Sequence, residues 1–126
     1  MGSYNASLTV VDRDGSTVLH FAASVGNREL IRALVSYEIL NLQLKDKFSR
    51  TPLHIAVEHG LCTGCIYDLA RRDNINVKDN EGTTPLHMAV YGGQYEAATY
   101  LLFKGAWINA RDNSEQTPLR RFIKRQ

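Results

Sequence analysis

The chain has 126 residues, of which 44% are hydrophobic and 22% are charged, and its formal net charge at pH 7 is +2. This length fits one domain of ordinary size, and the composition excludes an intrinsically disordered chain. No apolar run approaches the roughly 18–20 residues of a membrane-spanning helix, and the N-terminus lacks the pattern of a signal peptide. Two cysteines cannot build a disulfide framework. We therefore expect an intracellular protein, in the cytoplasm, the nucleus or both.

The positive charge is concentrated at the C-terminal end of the chain. Residues 113–126 hold four basic residues and one acidic residue, a net charge of +3, which leaves −1 for the first 112 residues. Nucleic-acid-binding domains carry a basic patch on the folded body. The distribution therefore argues against a nucleic-acid partner and leaves only weak contact through the basic tail as an alternative.

A repeat begins after a lead-in at residues 1–11, whose first three residues either start the protein or remain from an expression tag. Four short segments share one pattern, at residues 17–20 (TVLH), 51–54 (TPLH), 84–87 (TPLH) and 117–120 (TPLR). Their starts lie 34, 33 and 33 residues apart. An aspartate precedes each threonine by five residues, and a glycine follows each of the first three threonines by nine. Chance does not keep several residue types in phase over three periods.

Each repeat predicts two helices and a loop. The threonine is a good N-cap, and the proline that follows it in three repeats suits the first helical position. The glycine nine residues later can take the left-handed conformation that ends a helix. A second amphipathic run follows, most clearly at residues 28–35 and 95–103, with apolar residues at helical spacing.

This pattern resembles the ankyrin repeat, whose signature contains T-P-L-H-x-A at a period of 33 residues. The resemblance covers residues 12–126, as full repeats at 12–45, 46–78 and 79–111 and a partial repeat at 112–126. It implies an all-α fold, a solenoid of stacked helix-turn-helix units with extended, β-hairpin-like loops. One such unit cannot bury its apolar face alone, so neighbouring units share the core.

The sequence departs from the family pattern at several positions. Ser49 and Glu115 stand where other repeats have a turn glycine, which predicts strained turns. Gly64 falls inside the second helix of the second repeat, so we expect that helix to be the least regular. Ile39 and Leu40 replace the usual Gly-Ala stop, which predicts that the second helix of the first repeat runs on.

Cys62 and Cys65 lie three residues apart, with His59 three residues upstream, and at first suggest a chemical site. Their register places both in the second helix of the second repeat, with Cys65 at a core position. We interpret them chiefly as unpaired packing residues. An oxidation-sensitive thiol at Cys62 and a metal site remain as alternatives, although structural zinc usually takes four ligands and only three are at hand.

The three repeated histidines, His20, His54 and His87, are too far apart to share a metal ion, since packed helices lie 8–10 Å from each other. In ankyrin repeats this histidine and its threonine form hydrogen bonds to neighbouring loops. No Ser-His-Asp spacing suggests a triad, and no glycine-rich loop suggests phosphate binding. We therefore expect neither an enzyme, nor a metal, nor a cofactor.

The resemblance implies that partners contact the loop tips and the exposed ends of the first helices. The residues selected in those slots are Arg13, Lys45, Lys47, Phe48, Arg50, Glu58, His59, Lys78, Glu81, Tyr91 and Arg111. Three of them, Lys45, Lys78 and Arg111, share one register and predict a line of positive charge, while Phe48 and Tyr91 add aromatic surface. Trp107 either covers a loop or adds a second contact.

These features predict a non-enzymatic adaptor or inhibitor that binds a protein with acidic and apolar surface, and no membrane. The simpler alternative for the charged residues is a solvated basic edge without a partner. A second hypothesis for the whole chain is a targeting or scaffolding segment of a larger protein. The oligomeric state cannot be read from these patterns.

Overall fold

The computed structural model describes residues 11–36 and 42–120. Within these residues it contains three consecutive helix pairs and no strand. The helices are α1 (Val18–Val25), α2 (Arg28–Val35), α3 (Pro52–His59), α4 (Thr63–Leu69), α5 (Pro85–Tyr91) and α6 (Tyr95–Phe103). A further helical turn begins at Pro118. The predicted all-α stack of helix-turn-helix units is confirmed. None of the helices in these ranges has the length and hydropathy that crossing a membrane requires.

The first helix of each pair begins with the same reciprocal cap. In α3, the Oγ1 atom of Thr51 accepts the backbone N–H of His54, and Nδ1 of His54 accepts the backbone N–H of Thr51. The same capping box starts α1 and α5. Because the cap needs only residues three apart, the local sequence is enough to specify where each of these helices starts.

The core runs continuously through the stack. Helix α1 packs on α3 and α3 on α5, while α2 packs on α4 and α4 on α6. The equivalent leucines of the three first helices, Leu19, Leu53 and Leu86, are almost completely buried. Burying one leucine contributes about 1.5–3 kcal/mol, and the first helices that carry these side chains pack directly on one another.

The loops are joined by backbone hydrogen bonds, from one unit to the next. The N–H of Lys47 donates to the carbonyl of Asp14 (2.8 Å), that of Asn80 to Phe48 (3.0 Å) and that of Asn113 to Glu81 (2.9 Å). Within each loop the repeated aspartate folds the turn; Oδ1 of Asp46, for example, accepts two backbone N–H groups. This role explains why an aspartate recurs in every unit.

Each repeated histidine links its helix to the following loop. The Nε2–H group of His20 donates to the carbonyl of Arg50 (2.8 Å), and those of His54 and His87 donate to the equivalent carbonyls of Thr83 (3.0 Å) and Gln116 (2.8 Å). Because Nδ1 is already an acceptor in the cap, the imidazole is the neutral Nε2–H tautomer. The structural interpretation of these histidines is confirmed.

The predicted strained turns are present. Ser49 and Glu115 both have a φ of 62°, in the left-handed region where glycine is favoured. Helix α4 has 7 residues, against 8 in α2 and 9 in α6, so it is the shortest of the three second helices; that it is the least regular stays a prediction. Helix α2 ends at Val35. The run-on predicted at Ile39 and Leu40, the lead-in and the basic tail beyond residue 120 lie outside the described residues.

The expectation of unpaired cysteines is wrong. Cys65 is buried in the core, as its register predicted, but it forms a disulfide with Cys62. Cys62 is the N-cap residue of α4 and Cys65 lies on its first turn, which places their Cα atoms 5.3 Å apart. That separation lies within the usual range for a disulfide.

Candidate functional site

A groove of about 430 Å³ lies between the loop tips and the first helices of the second and third units. Its lining combines apolar side chains with charged and amide groups. The lining residues are Phe48, Arg50, Glu58, Asp79, Asn80, Glu81, Thr83, Met88, Tyr91 and Gly92. We call this feature the groove.

The groove brings together five of the residues that the sequence selected: Phe48, Arg50, Glu58, Glu81 and Tyr91. These residues come from two loops and two helices, and the stacking of the units makes them neighbours. The other selected residues lie outside the lining: Arg13, Lys45, Lys47, His59, Lys78 and Arg111. The structure therefore brings five of the eleven selected residues into the groove lining and leaves six outside it.

Met88 lines the groove but was missed by the sequence analysis. It occupies the variable position of T-P-L-H-x-A, which is Phe21 in the first unit and Ile55 in the second. This variable position could have indicated a groove residue. Its side chain differs between units while its neighbours repeat, so the helix cap does not require it.

The ring of Phe48 is held between cationic side chains while 47% of its surface stays exposed. Nζ of Lys47 lies 5.1 Å from the ring centroid, and Cζ of Arg50 lies 4.9 Å from it. Both distances are within the range of a cation–π interaction. The ring is thus positioned before any partner arrives.

Arg50, the cation of the groove lining, forms ion pairs with two carboxylates. Its Nε donates to Oδ2 of Asp46 at 2.9 Å, and the Asp46 carboxylate is buried. Its Nη1 lies 3.4 Å from both carboxylate oxygens of Glu58. Two carboxylates from the loop and from α3 therefore hold the guanidinium in place beside Phe48.

Other selected cations are also paired within the chain. Nζ of Lys47 lies 2.8 Å from Oδ1 of Asp14, and Nη1 of Arg111 lies 3.5 Å from Oε2 of Glu115. Both pairs are exposed, so salt screens them readily. Nζ of Lys78 donates to the carbonyl of Arg111 at 2.8 Å, a contact that leaves its charge uncompensated.

The groove lining itself is acidic on balance. Three carboxylates, those of Glu58, Asp79 and Glu81, line it together with one cation, Arg50. Asp79 is occupied within its own loop, where Oδ1 accepts the N–H groups of Glu81 and Thr83 at 2.9 Å each. Lys45, Lys78 and Arg111, which are predicted to form a line of positive charge, are not among the lining residues.

His59 lies apart from the groove lining. It is the exposed last residue of α3, and its ring Nδ1 lies 3.0 Å from the carbonyl oxygen of Ile55. Arg13 and Lys45 are likewise exposed. Across residues 11–36 and 42–120, no group of three or more histidine, cysteine or acidic side chains is arranged to hold a metal ion.

Comparison with known proteins places this architecture among repeat proteins. A family model described as "Ankyrin repeats (3 copies)" matches residues 3–70 and 41–112. The NF-kappa-B inhibitor cactus of Drosophila melanogaster is 40% identical over 65 residues, which is 52% of this chain and 12% of that protein. Human Rabankyrin-5 is 41% identical over 51 residues, 39% of this chain and 4% of that protein.

A third relative is a channel subunit. The transient receptor potential cation channel subfamily A member 1 homolog of Caenorhabditis elegans is 37% identical over 57 residues, 45% of this chain and 5% of that protein. In each of these relatives the matched segment is a small part of a much longer protein. The likeness therefore concerns the repeats.

Proposed function

The chain belongs to the ankyrin-repeat family, and from that premise we propose that its groove binds an apolar side chain of a partner protein without catalysing a reaction. Ankyrin repeats generally mediate protein–protein interactions. The observation that carries the proposal is the aromatic and apolar surface left open in the groove by Phe48, Met88 and Tyr91. Aromatic side chains in such positions supply much of the binding energy at protein interfaces.

The groove is well prepared for such an anchor because its walls are already ordered. Phe48 is held by Lys47 and Arg50, and Arg50 is held by Asp46 and Glu58. Side chains that are ordered before binding lose less conformational entropy when a partner docks. Covering Phe48 and Tyr91 with an apolar side chain then removes aromatic surface from water at little cost.

Charge restricts how the partner is arranged around this anchor. An acidic residue inside the groove would meet the carboxylates of Glu58 and Glu81, so we propose an apolar residue there. Acidic residues would flank it and face the predicted line of Lys45, Lys78 and Arg111. The bordering charges would then raise the association rate more than the affinity.

Two roles are compatible with such a module. An adaptor or inhibitor is suggested by the likeness to a protein named as an inhibitor, although the match covers 12% of that relative. A targeting or scaffolding segment is suggested by the length of the relatives, of which this chain spans small parts. The intracellular location, the limits of the repeat domain at 12–126 and weak nucleic-acid contact through the tail stay predictions.

The test compares two double variants in pull-downs from a native lysate, with bound proteins quantified by mass spectrometry. Phe48→Ala/Tyr91→Ala removes the aromatic surface of the groove. The control, Tyr95→Ala/Phe103→Ala, removes two aromatic rings of α6 that are more exposed than Phe48 and Tyr91 and lie outside the groove lining. Some proteins should be retained by both the wild type and the control. We expect the groove variant to recover about tenfold less of these proteins, or even less.

A second arm varies the salt concentration. Binding supported by the positive line should weaken as salt rises, and Lys45→Ala should reduce that dependence. Equal recovery of every specific partner by the wild type and by Phe48→Ala/Tyr91→Ala would refute the assignment of the groove.

A further inference from the structure

The disulfide between Cys62 and Cys65 is asymmetric in its access to solvent. Cys65 has 0% of its surface exposed and packs in the core, whereas Cys62 at the start of α4 is partly exposed. Cys62 also packs against the edge of the core, but of the two residues it alone has surface open to an external reagent. Cys62 is thus placed to react with an external reagent, and Cys65 to react with Cys62.

The backbone holds the two residues in this relation. The backbone N–H of Cys65 donates to Sγ of Cys62 at 3.0 Å, in the position of an N-cap hydrogen bond. The first turn of α4 thus brings the two side chains together without ordering any further loop. A pair fixed in this way reacts as an intramolecular pair of high effective concentration.

A guanidinium group lies across the same turn. A Cβ atom at Gly64, between the two cysteines, would lie 2.6 Å from Nη1 of Arg28, so a larger residue would displace this side chain from its place over the turn. Nε of Arg28 donates to Oδ2 of Asp68 at 2.9 Å, which anchors the group over the turn. A neighbouring positive charge favours the thiolate form of a cysteine, which is the reactive form.

From this arrangement we propose that Cys62 and Cys65 are a reversible dithiol–disulfide site that exchanges with a low-molecular-weight disulfide of the glutathione type. The thiolate of Cys62 attacks one sulfur of the small disulfide, forming a mixed disulfide and releasing one small thiolate. Cys65 then loses its proton and attacks Sγ of Cys62, which forms the internal disulfide and releases the second small thiol. The protein dithiol is oxidised by two electrons, and one small disulfide is reduced to two thiols.

Arg28 is a positioning residue in this proposal, because it acts on the reactivity of Cys62 and carries no bond to the small disulfide. The proposal does not depend on the groove or its partner, since α4 contributes no residue to the groove lining.

The first experiment uses the reduced full chain and glutathione disulfide, with quenching by a maleimide and detection by intact mass. We expect the wild type to form the internal disulfide without retaining glutathione, and Cys65→Ser to retain one glutathione on Cys62. Cys62→Ser should react slowly while folded, and quickly in urea. Equal rates for folded Cys62→Ser and the wild type would overturn the proposal.

The wild type also provides tests that need no variant. Peptide mapping of the mixed disulfide trapped early in the reaction should place glutathione on Cys62; glutathione on Cys65 would contradict the mechanism. The equilibrium constant for oxidation should be higher in the folded chain than in the urea-unfolded chain, by about tenfold or more. A folded dithiol that is no easier to oxidise than the unfolded one would overturn the proposal.

The role of Arg28 is tested by the pH profile of the alkylation rate of Cys62. We expect Arg28→Gln to lower the thiolate fraction of Cys62 about tenfold. Because a less acidic thiol gives a more nucleophilic thiolate, by roughly threefold here, the alkylation rate near neutral pH should fall about threefold, and the pH profile should move to higher pH. The control Arg32→Gln removes another exposed cation of α2 and should leave the profile in place. Superimposable profiles for Arg28→Gln and the wild type would remove Arg28 from the mechanism.

Discussion

At the scale of single residues, the repeated histidine has the clearest physical consequence. His54 is fully buried, donates from Nε2 to the carbonyl of Thr83 and accepts at Nδ1 from Thr51. Burial lowers its pKa from the ordinary value of 6.5, and the hydrogen bond to Thr83 opposes this only in part. The folded chain therefore keeps this imidazole neutral at a pH where the unfolded chain protonates it.

This difference predicts that stability falls with acidification. His54 binds its proton in the unfolded state near pH 6.5 and in the folded state only at lower pH. The free energy of unfolding should therefore be highest above about pH 6.5, and it should decrease as the pH falls below that value. Urea unfolding between pH 7.5 and 5 measures this slope. It should be smaller in His54→Gln than in the wild type.

The matched control for this prediction is His59→Gln, which removes an exposed histidine from the same helix. That variant should keep the slope of the wild type. An unchanged slope in His54→Gln would show that other groups cause the acid sensitivity. The comparison uses slopes because His54→Gln also disrupts a cap and lowers stability at every pH.

At the scale of helices, the short α4 shows how one unit accommodates a contact from its neighbour. Its Gly64 costs up to about 1 kcal/mol of helix stability relative to alanine. The same absence of a side chain lets Arg28 of α2 lie over the turn and reach Asp68. The glycine that the sequence analysis marked in this helix is thus also the place where a side chain of the adjacent repeat lies.

A double-mutant cycle tests this explanation. Gly64→Ala alone should bring little or no stabilisation, because the new Cβ displaces Arg28. In an Arg28→Ala background the same change should stabilise the chain by up to about 1 kcal/mol, the full helix propensity. Urea unfolding of the four proteins under oxidising conditions gives the coupling energy, and additive effects would contradict the steric account.

At the scale of the whole molecule, each unit depends on its neighbours for burial. Leu53 of α3 lies in the middle unit and is 0% exposed, with α1 on one side and α5 on the other. Coupled units of a short array tend to unfold together, because losing one uncovers the apolar faces of the next. A substitution in the second unit should thus lower the stability of the first and third units as well.

Leu53→Ala should therefore lower the stability of the complete array, by about 2–5 kcal/mol. Trp107, the single tryptophan, follows α6 and reports on the third unit by fluorescence, while circular dichroism reports on all helices. The unfolding transitions followed by the two signals should shift together to a lower urea concentration. A tryptophan transition that stays in place while the helical signal shifts would show that the units unfold independently.

The sequence by itself determined the repeat, the start of each first helix, the hydrogen-bonding role of the repeated histidines, and the strained turns at Ser49 and Glu115. These features depend on contacts within a few residues or on a period, and both can be read along the chain. It also selected five residues that meet in the groove, since equivalent slots in a repeat occupy equivalent places in the stack.

Only the tertiary structure decided which side chains from different units touch. It paired Lys47 with Asp14 and seated Arg28 above Gly64, and it added Met88 to the groove. It also joined Cys62 to Cys65, although the two are close in sequence. Such contacts depend on distances of a few ångströms between side chains, which are set by the stacking of units and by rotamers, and a repeat pattern leaves both open.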